Sequence, residues 1–233
     1  MEWEIIHIDE TDSTNRWLRE RRTARPTVVW ADYQTAGRGQ GTNTWESERG
    51  KNLLFSMLIQ PQGVTANRQF SISMQVSLAM CEALGEYIGD VSIKWPNDIY
   101  WRNAKIAGIL IENRLHGSLL CDSIIGIGLN VNQRQFHSDA PNPVSLWQIG
   151  GCETDREQLL HGILATFDRY VGRDVKDMYL SRLYRRRGFH PYADREGAFM
   201  AELADVEEDG HLVLCDEDGR MRRYAFKEVS FII

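Results

Sequence analysis

The chain has 233 residues, 42% of them hydrophobic and 26% charged, with a net charge of −6. That composition suits a globular protein with a sizeable core, and it argues against bulk nucleic-acid binding, which needs a basic footprint to displace phosphate counterions. The four cysteines, Cys81, Cys121, Cys152 and Cys215, form no C-x-x-C pair, so zinc-site spacing and a dithiol redox motif are both absent. The N-terminal residues do not carry a signal-peptide pattern, and no apolar run approaches the ~20 residues that span a bilayer. A reduced, cytoplasmic enzyme or binding protein is expected, built as one large domain with a small appendage.

Residues 2–8 carry the pattern of a first strand. A helix is expected over 13–22, with Asp12, Ser13, Thr14 and Asn15 as N-cap side chains. A second strand, 28–33, runs into a loop over 35–51 that holds Gly37, Gly39, Gly41 and Gly50. Residues 53–60 form a buried strand, and Phe70, Met74, Leu78, Cys81 and Leu84 mark a helix over 68–88. Three strands follow, 91–101, 105–115 and 118–131, the last two joined by a tight turn at His116-Gly117. A loop with Pro141 and Pro143 leads to two helices, 155–171 and 174–184. From Gly188 the pattern changes to short strands, 199–206, 211–215 and 221–227, separated by turn-rich residues. The expected architecture is α+β: a mixed, mainly antiparallel sheet backed by helices, with a closely docked β-barrel of ~45 residues at the C-terminus.

Four stretches can carry chemistry. In the loop, Gln34-Thr35-Ala36-Gly37-Arg38-Gly39-Gln40-Gly41 leaves a strand; its glycines let backbone amides approach an anion and Arg38 adds a planar cation. It is neither a Walker loop nor a G-x-G-x-x-G dinucleotide fingerprint, and by itself it reads equally well as a mobile surface loop. Lys94-Trp95-Pro96-Asn97-Asp98 alone is compatible with a plain strand end. Lys105-Ile106-Ala107-Gly108-Ile109-Leu110 places a lysine at the start of an apolar strand and a glycine inside it, where a ligand or another backbone often comes close. Gly126-Ile127-Gly128-Leu129-Asn130-Val131-Asn132 closes a strand with glycine and asparagine, as a bulge or as a ligand site.

Together with Ser13-Thr14-Asn15, these stretches in this order and spacing resemble the biotin–protein ligase family over residues 9–132, and the C-terminal unit resembles that family's SH3-like domain. The resemblance implies a class II synthetase-like catalytic domain, 1–187, and an SH3-like barrel, 188–233. It implies an enzyme that joins biotin to the α-phosphate of ATP, with Mg²⁺, and passes it from biotinyl-5′-AMP to a lysine of a biotin carboxyl carrier domain such as that of acetyl-CoA carboxylase. Such a protein works as a monomer or homodimer without nucleic acid or membrane. The family's motifs begin within about ten residues of Met1, which leads us to expect a monofunctional form without an N-terminal DNA-binding domain. A lipoate or octanoyl transferase on a related fold fits the Lys94–Asp98 motif and the C-terminal unit less well, and a catalytically silent binder is disfavoured by the presence of both Arg38 and Lys105.

The resemblance also implies roles. Ser13, Thr14, Asn15 and Gln34 would meet the ureido end of biotin, with Gly37, Arg38 and backbone groups of Gly108 and Leu110. Arg38 would bridge the biotin carboxylate and the α-phosphate, and Lys105 would stabilise charge there, making these two the catalytic residues. Gly39, Gln40, Trp45, Lys94, Asn97, Asp98 and Asn130 would join them around ATP and the adenylate, with Asp98 toward Mg²⁺ carried by ATP. Trp45 and Leu54 would wall the thiophene ring and valeryl chain, and Trp147 would either cover the adenine or pack in the core. One departure stands out. Where the family's loop commonly reads G-R-G-R-x-G-R-x-W, this chain has Gln40, Thr42 and Asn43, so two cations that would clamp a phosphate are missing. Faster escape of the adenylate is the expected consequence. The loop should be mobile when empty and ordered by ligand, because fixing some ten residues costs about 10–20 kcal/mol if they start fully flexible. The Arg185-Arg186-Arg187 run reads as a solvated helix end or as a patch for an acidic carrier.

Overall fold

The computed structural model describes residues 1–21, 23–137 and 141–233. In chain order it contains β1 (Glu4–Thr11), α1 (Thr14–Glu20), β2 (Thr27–Gln34), β3 (Leu53–Ile59), a 3₁₀ turn (Ala66–Arg68), α2 (Phe70–Gly85), β4 (Val91–Lys94), β5 (Asp98–Trp101), β6 (Ala104–His116) and β7 (Leu119–Leu129). Then follow α3 (Leu146–Gly150), α4 (Arg156–Tyr170), α5 (Lys176–Ser181), β8 (His190–Asp194), β9 (Gly197–Val206), β10 (Leu212–Asp216), β11 (Met221–Tyr224) and β12 (Ser230–Phe231). None of the helices described is long and apolar enough to cross a membrane.

The seven-stranded sheet has the order β1-β2-β3-β7-β6-β5-β4, and the C-terminal five-stranded sheet has the order β11-β10-β9-β8-β12. In the large sheet β1 and β2 run parallel, and the other neighbours are antiparallel. β3 lies near its centre and is buried along its whole length, which is why its sequence is apolar without alternation.

Strand alternation then separates two faces. Phe55 and Met57 on β3, Ile125 and Ile127 on β7, and Ala107 and Ile109 on β6 join the core of α2 and α4. Their alternating neighbours point the other way, where α1 covers only part of the sheet, through Leu18 packed on Val29, Leu58 and Ile124. The rest of that face carries Gly108, Leu110, Gly126 and Gly128.

Several elements differ from expectation. Residues 91–101 form a hairpin rather than one strand. The chain reverses at Trp95-Pro96-Asn97, where the Trp95–Pro96 bond is cis, and Lys94 pairs with Asp98 across it. The short helix α3 was missed; Ser145 starts it with a reciprocal capping box with Gln148. Strands β8 and β12 were also missed: β12 has two residues, and β8 carries Pro191, which argues against a strand. α1 ends at Glu20, and Arg22, the end of the expected helix, lies outside the described residues. α5 ends at Ser181, after which residues 182–184 run along the free edge of β4 through the Ile93 amide and carbonyl. The arginine run therefore lies beyond the helix. Arg185 donates to the carbonyls of Pro191 and Ile232, and Arg186 to that of Leu203, so two of the three tie the C-terminal sheet down.

The two sheets share one apolar core. At their junction the Trp95 indole N–H donates to the Gly210 carbonyl at 2.9 Å. Gly210 has φ +94°, and a Cβ there would lie 2.7 Å from the Phe70 ring. Gly210→Ala should therefore lower unfolding stability by about 1–3 kcal/mol through backbone strain and overpacking. Denaturant titration checks this, and an unchanged midpoint would mean that the junction yields freely.

Candidate active site

Cross-strand register assembles the open face in rows. Lys94 opposes Asp98, Asp98 opposes Gly108, Gly108 opposes Gly128, and Gly128 opposes Leu54, so one transverse row runs from two charges through two glycines to an apolar residue. The next row is Leu110, Gly126 and Ser56, and the one after it is Glu112, Ile124 and Leu58. Residues 4 to 74 positions apart in sequence thus become neighbours on one surface.

The glycines matter for what lies above them. Trp45 lies flat across the first row: a Cβ on Gly128 would come within 2.7 Å of the indole Cδ2, and one on Gly108 within 3.0 Å of Cζ3. Asn15 occupies the space above Gly126, where a Cβ would lie 2.9 Å from its Cγ. The Trp45 indole N–H is buried and has no partner among the described residues.

One end of the face is a hydrogen-bonded polar cluster. The Thr14 backbone N–H and hydroxyl both reach the Gln34 oxygen, at 2.8 and 3.0 Å. A backbone N–H can only donate, so the Gln34 atom facing it is the oxygen and the Gln34 NH₂ is turned toward Gly37. The Ser56 hydroxyl lies 2.7 Å from the Thr14 hydroxyl and 2.6 Å from the Asn15 oxygen. The Asn15 NH₂ donates to Glu112 at 3.0 Å and lies 3.4 Å from the Leu110 carbonyl. Ser13, buried at the N-cap of α1, makes no side-chain cap bond.

The other end is charged. The Lys105 ammonium pairs with Asp98 at 2.7 Å and stands 5.7 Å over the Trp45 ring. Asn97, in the hairpin turn, donates to the Ile109 carbonyl at 2.6 Å and locks the turn to β6. Lys94 reaches the edge of the face, stacked over Tyr100 and Phe231, and burial pulls its ammonium below the usual lysine range despite Asp98 nearby. Asn130 donates to the Val144 carbonyl at 3.1 Å, while its buried side-chain oxygen has no partner among the described residues. The segment it holds pairs with the Lys105 backbone.

The glycine loop folds into a small hairpin. Trp45 N–H donates to the Gly37 carbonyl and Gly39 N–H to the Asn43 carbonyl, with a bridge between Arg38 and Thr44. A Cβ on Gly37 would lie 2.7 Å from the Trp45 carbonyl, so that position excludes larger residues. Arg38 pairs with Glu112 at 3.3 Å. At the loop tip a Cβ on Gly41 would lie 2.5 Å from the Lys227 ammonium of the C-terminal unit.

The structure thus brings together Thr14, Asn15, Gln34, Gly37, Arg38, Trp45, Asp98, Lys105, Gly108 and Leu110 on one face. Trp147 lies on α3, half-buried, with Arg134 stacked on it at 4.5 Å. Sequence reasoning missed Ser56, Glu112 and Lys227. Ser56 carried a usable signal, as a hydroxyl inside an otherwise apolar strand. Chemically, the face offers amides and hydroxyls for a neutral polar group, a flat floor for an apolar body, and two cations for oxyanions. Asp98 offers a hard oxygen ligand beside them.

The sequence pattern of the Biotin/lipoate A/B protein ligase family matches residues 6–130. The bifunctional ligase/repressor BirA of Bacillus subtilis is 28% identical to this chain, over 94% of it and 70% of BirA. The biotin–[acetyl-CoA-carboxylase] ligase of Paracoccus denitrificans is 28% identical over 91% of this chain and 95% of its own. Among solved structures, the biotin protein ligase of Aquifex aeolicus in complex with biotin and ATP has a TM-score of 0.81 at 28% identity, covering 97% of both chains. With more than half its length inside the family pattern, and with the fold of these enzymes, the chain belongs to the biotin/lipoate A/B protein ligase family.

Proposed function

We propose that this protein is a biotin–protein ligase that activates biotin with ATP and transfers it to a lysine of a biotin carboxyl carrier domain. The observation that carries this reading is the single face on which an amide-and-hydroxyl pocket, a bare glycine floor and the cations Arg38 and Lys105 lie in sequence, in a chain similar to named biotin ligases. The catalytic unit is assigned to residues 1–187 and the C-terminal unit to 188–233.

In this reading the Gln34 NH₂ and the Thr14, Asn15 and Ser56 cluster bind the ureido ring, whose donors and acceptors need partners in a buried site. The ring and valeryl chain take the space over Gly108 and Gly128 that Trp45 fills in the empty protein, beside Leu54, with Trp45 displaced to cover them. Arg38 holds the carboxylate against the α-phosphate, a task suited to a planar fork. Lys105 stabilises the charge that builds at the α-phosphate, and Asp98 orients it through their 2.7 Å ion pair. Asn130, with its unpartnered oxygen, receives the adenine or its ribose. Mg²⁺ with ATP fits one carboxylate plus phosphates, and Asp98 is the residue to hold it, supplying charge neutralisation when bound. Water is excluded by the folded glycine loop and Trp45.

The direct test mixes protein, Mg²⁺–ATP, biotin and a carrier domain, with lipoate as competitor, and follows pyrophosphate release and carrier labelling. ATP-dependent labelling that prefers biotin is expected, and Lys105→Ala should lower its rate by about a hundredfold or more. Preference for lipoate, or full activity without Lys105, would overturn the assignment. The loop's missing arginines give a second prediction. Gln40→Arg should slow dissociation of the adenylate by about fivefold, the effect of one added charge-assisted contact of ~1 kcal/mol; equal off-rates would show that the charge lost at Gln40 is supplied from elsewhere, with Lys227 the first residue to examine.

A further inference from the structure

We propose that Glu112 is a positioning residue that ties the glycine loop's Arg38 to the polar end of the pocket through Asn15. Glu112 lies on the third row of the open face, two residues along β6 from Leu110. Its two oxygens are divided between partners: Oε1 takes Arg38 at 3.3 Å, whereas Oε2 takes the Asn15 NH₂ at 3.0 Å and the guanidinium of Arg19. Burial alone would raise its carboxyl, but Arg19, Asn15 and Arg38 outweigh that and hold it below the usual glutamate range, so it is charged at neutral pH.

Two consequences follow from chemistry. A carboxylate can only accept hydrogen bonds, so Glu112 fixes which end of the Asn15 amide faces it. The Asn15 oxygen is thereby turned to Ser56, whose hydroxyl donates to it; the Gln34 amide is set separately, by the Thr14 backbone N–H. Secondly, Glu112 engages Arg38 through one terminal nitrogen, NH1, in the only side-chain contact that anchors this loop arginine to the main sheet among the described residues. The remaining N–H groups of the guanidinium stay available to substrate oxyanions. One side chain therefore both orients the Asn15 amide in the polar cluster and anchors the loop cation Arg38. This rests on the biotin-activating reading for its consequences in catalysis, but the anchor is a property of the empty protein.

The test compares wild type, Glu112→Gln, Arg38→Ala and the double variant, with Glu112→Asp as a second substitution that keeps the charge and shortens the reach. Hydrogen exchange of loop amides 38–45, measured without ligand, should quicken in Glu112→Gln by about fivefold or more. In pyrophosphate release, Glu112→Gln should lower kcat by about tenfold, and that loss should shrink below about twofold in the Arg38→Ala background. The biotin Kd should rise in both backgrounds, because that effect runs through Asn15. Glu112→Asp should change exchange and kcat in the same direction but less. Unchanged exchange in both variants, or an equal kcat loss with and without Arg38, would overturn the proposal. Exchange is read with no substrate present, so it decides the anchor even if the wild type proves inactive on biotin, a result that would sink the proposed function instead.

Discussion

Three glycines that face the same way set what the large sheet can bind. Gly108, Gly126 and Gly128 leave bare backbone in the middle of a surface where side chains would otherwise meet α1 or solvent. Bare backbone costs stability, since glycine loses more conformational freedom on folding than any other residue and brings no side chain to pack. Here the vacated volume admits the Asn15 amide above Gly126 and the Trp45 ring above Gly108 and Gly128. The opposite face carries no such economy: β3, β7 and β6 fill it with Phe55, Met57, Ile125, Ile127 and Ile109 against α2 and α4. One face supplies stability and the other supplies a site.

Charge on the open face is arranged for position more than for energy. Lys105–Asp98 and Arg38–Glu112 are partly exposed pairs, with lysine and arginine side chains 30% and 40% exposed, and such pairs contribute only about 0–1 kcal/mol each to stability. What they do is give both cations fixed partners before any ligand arrives, which lowers the reorganisation needed when oxyanions bind. The loop hairpin and the Asn97 lock on β6 serve the same end, as fixed backbone around the charges.

The elements that could be foreseen were those whose signal is local. The helical spacing from Phe70 to Leu84, the apolar run of β3 and the glycine-rich loop are all legible without partners. The hairpin at Trp95-Pro96-Asn97 was not, because its flanking strands are four residues each and read as one continuous run. α3 and β12 escaped for the same reason of length, and β8 because Pro191 within it argues against a strand. Glu112 was invisible as a site residue because a glutamate near the end of a strand looks like any surface charge; its meaning comes from Arg38 and Asn15, 74 and 97 residues away. The arginines at 185 and 186 looked like a solvated run, and only the carbonyls of the C-terminal sheet show their use. The four motifs of the site are recognisable as strings, but that they share one face follows from register, which no string displays.

The measurement closest to the central claim is biotin binding by Gly128→Ala, followed by calorimetry alongside a thermal melt. A Cβ at that position would overlap the Trp45 ring, yet Trp45 sits on a loop that can move aside, and Gly128 has an ordinary strand conformation. The account predicts a melting temperature within about 4 °C of wild type and biotin affinity reduced by about a hundredfold, because filling the floor displaces the ligand and its cover together. Biotin affinity equal to wild type in a folded Gly128→Ala protein would contradict it.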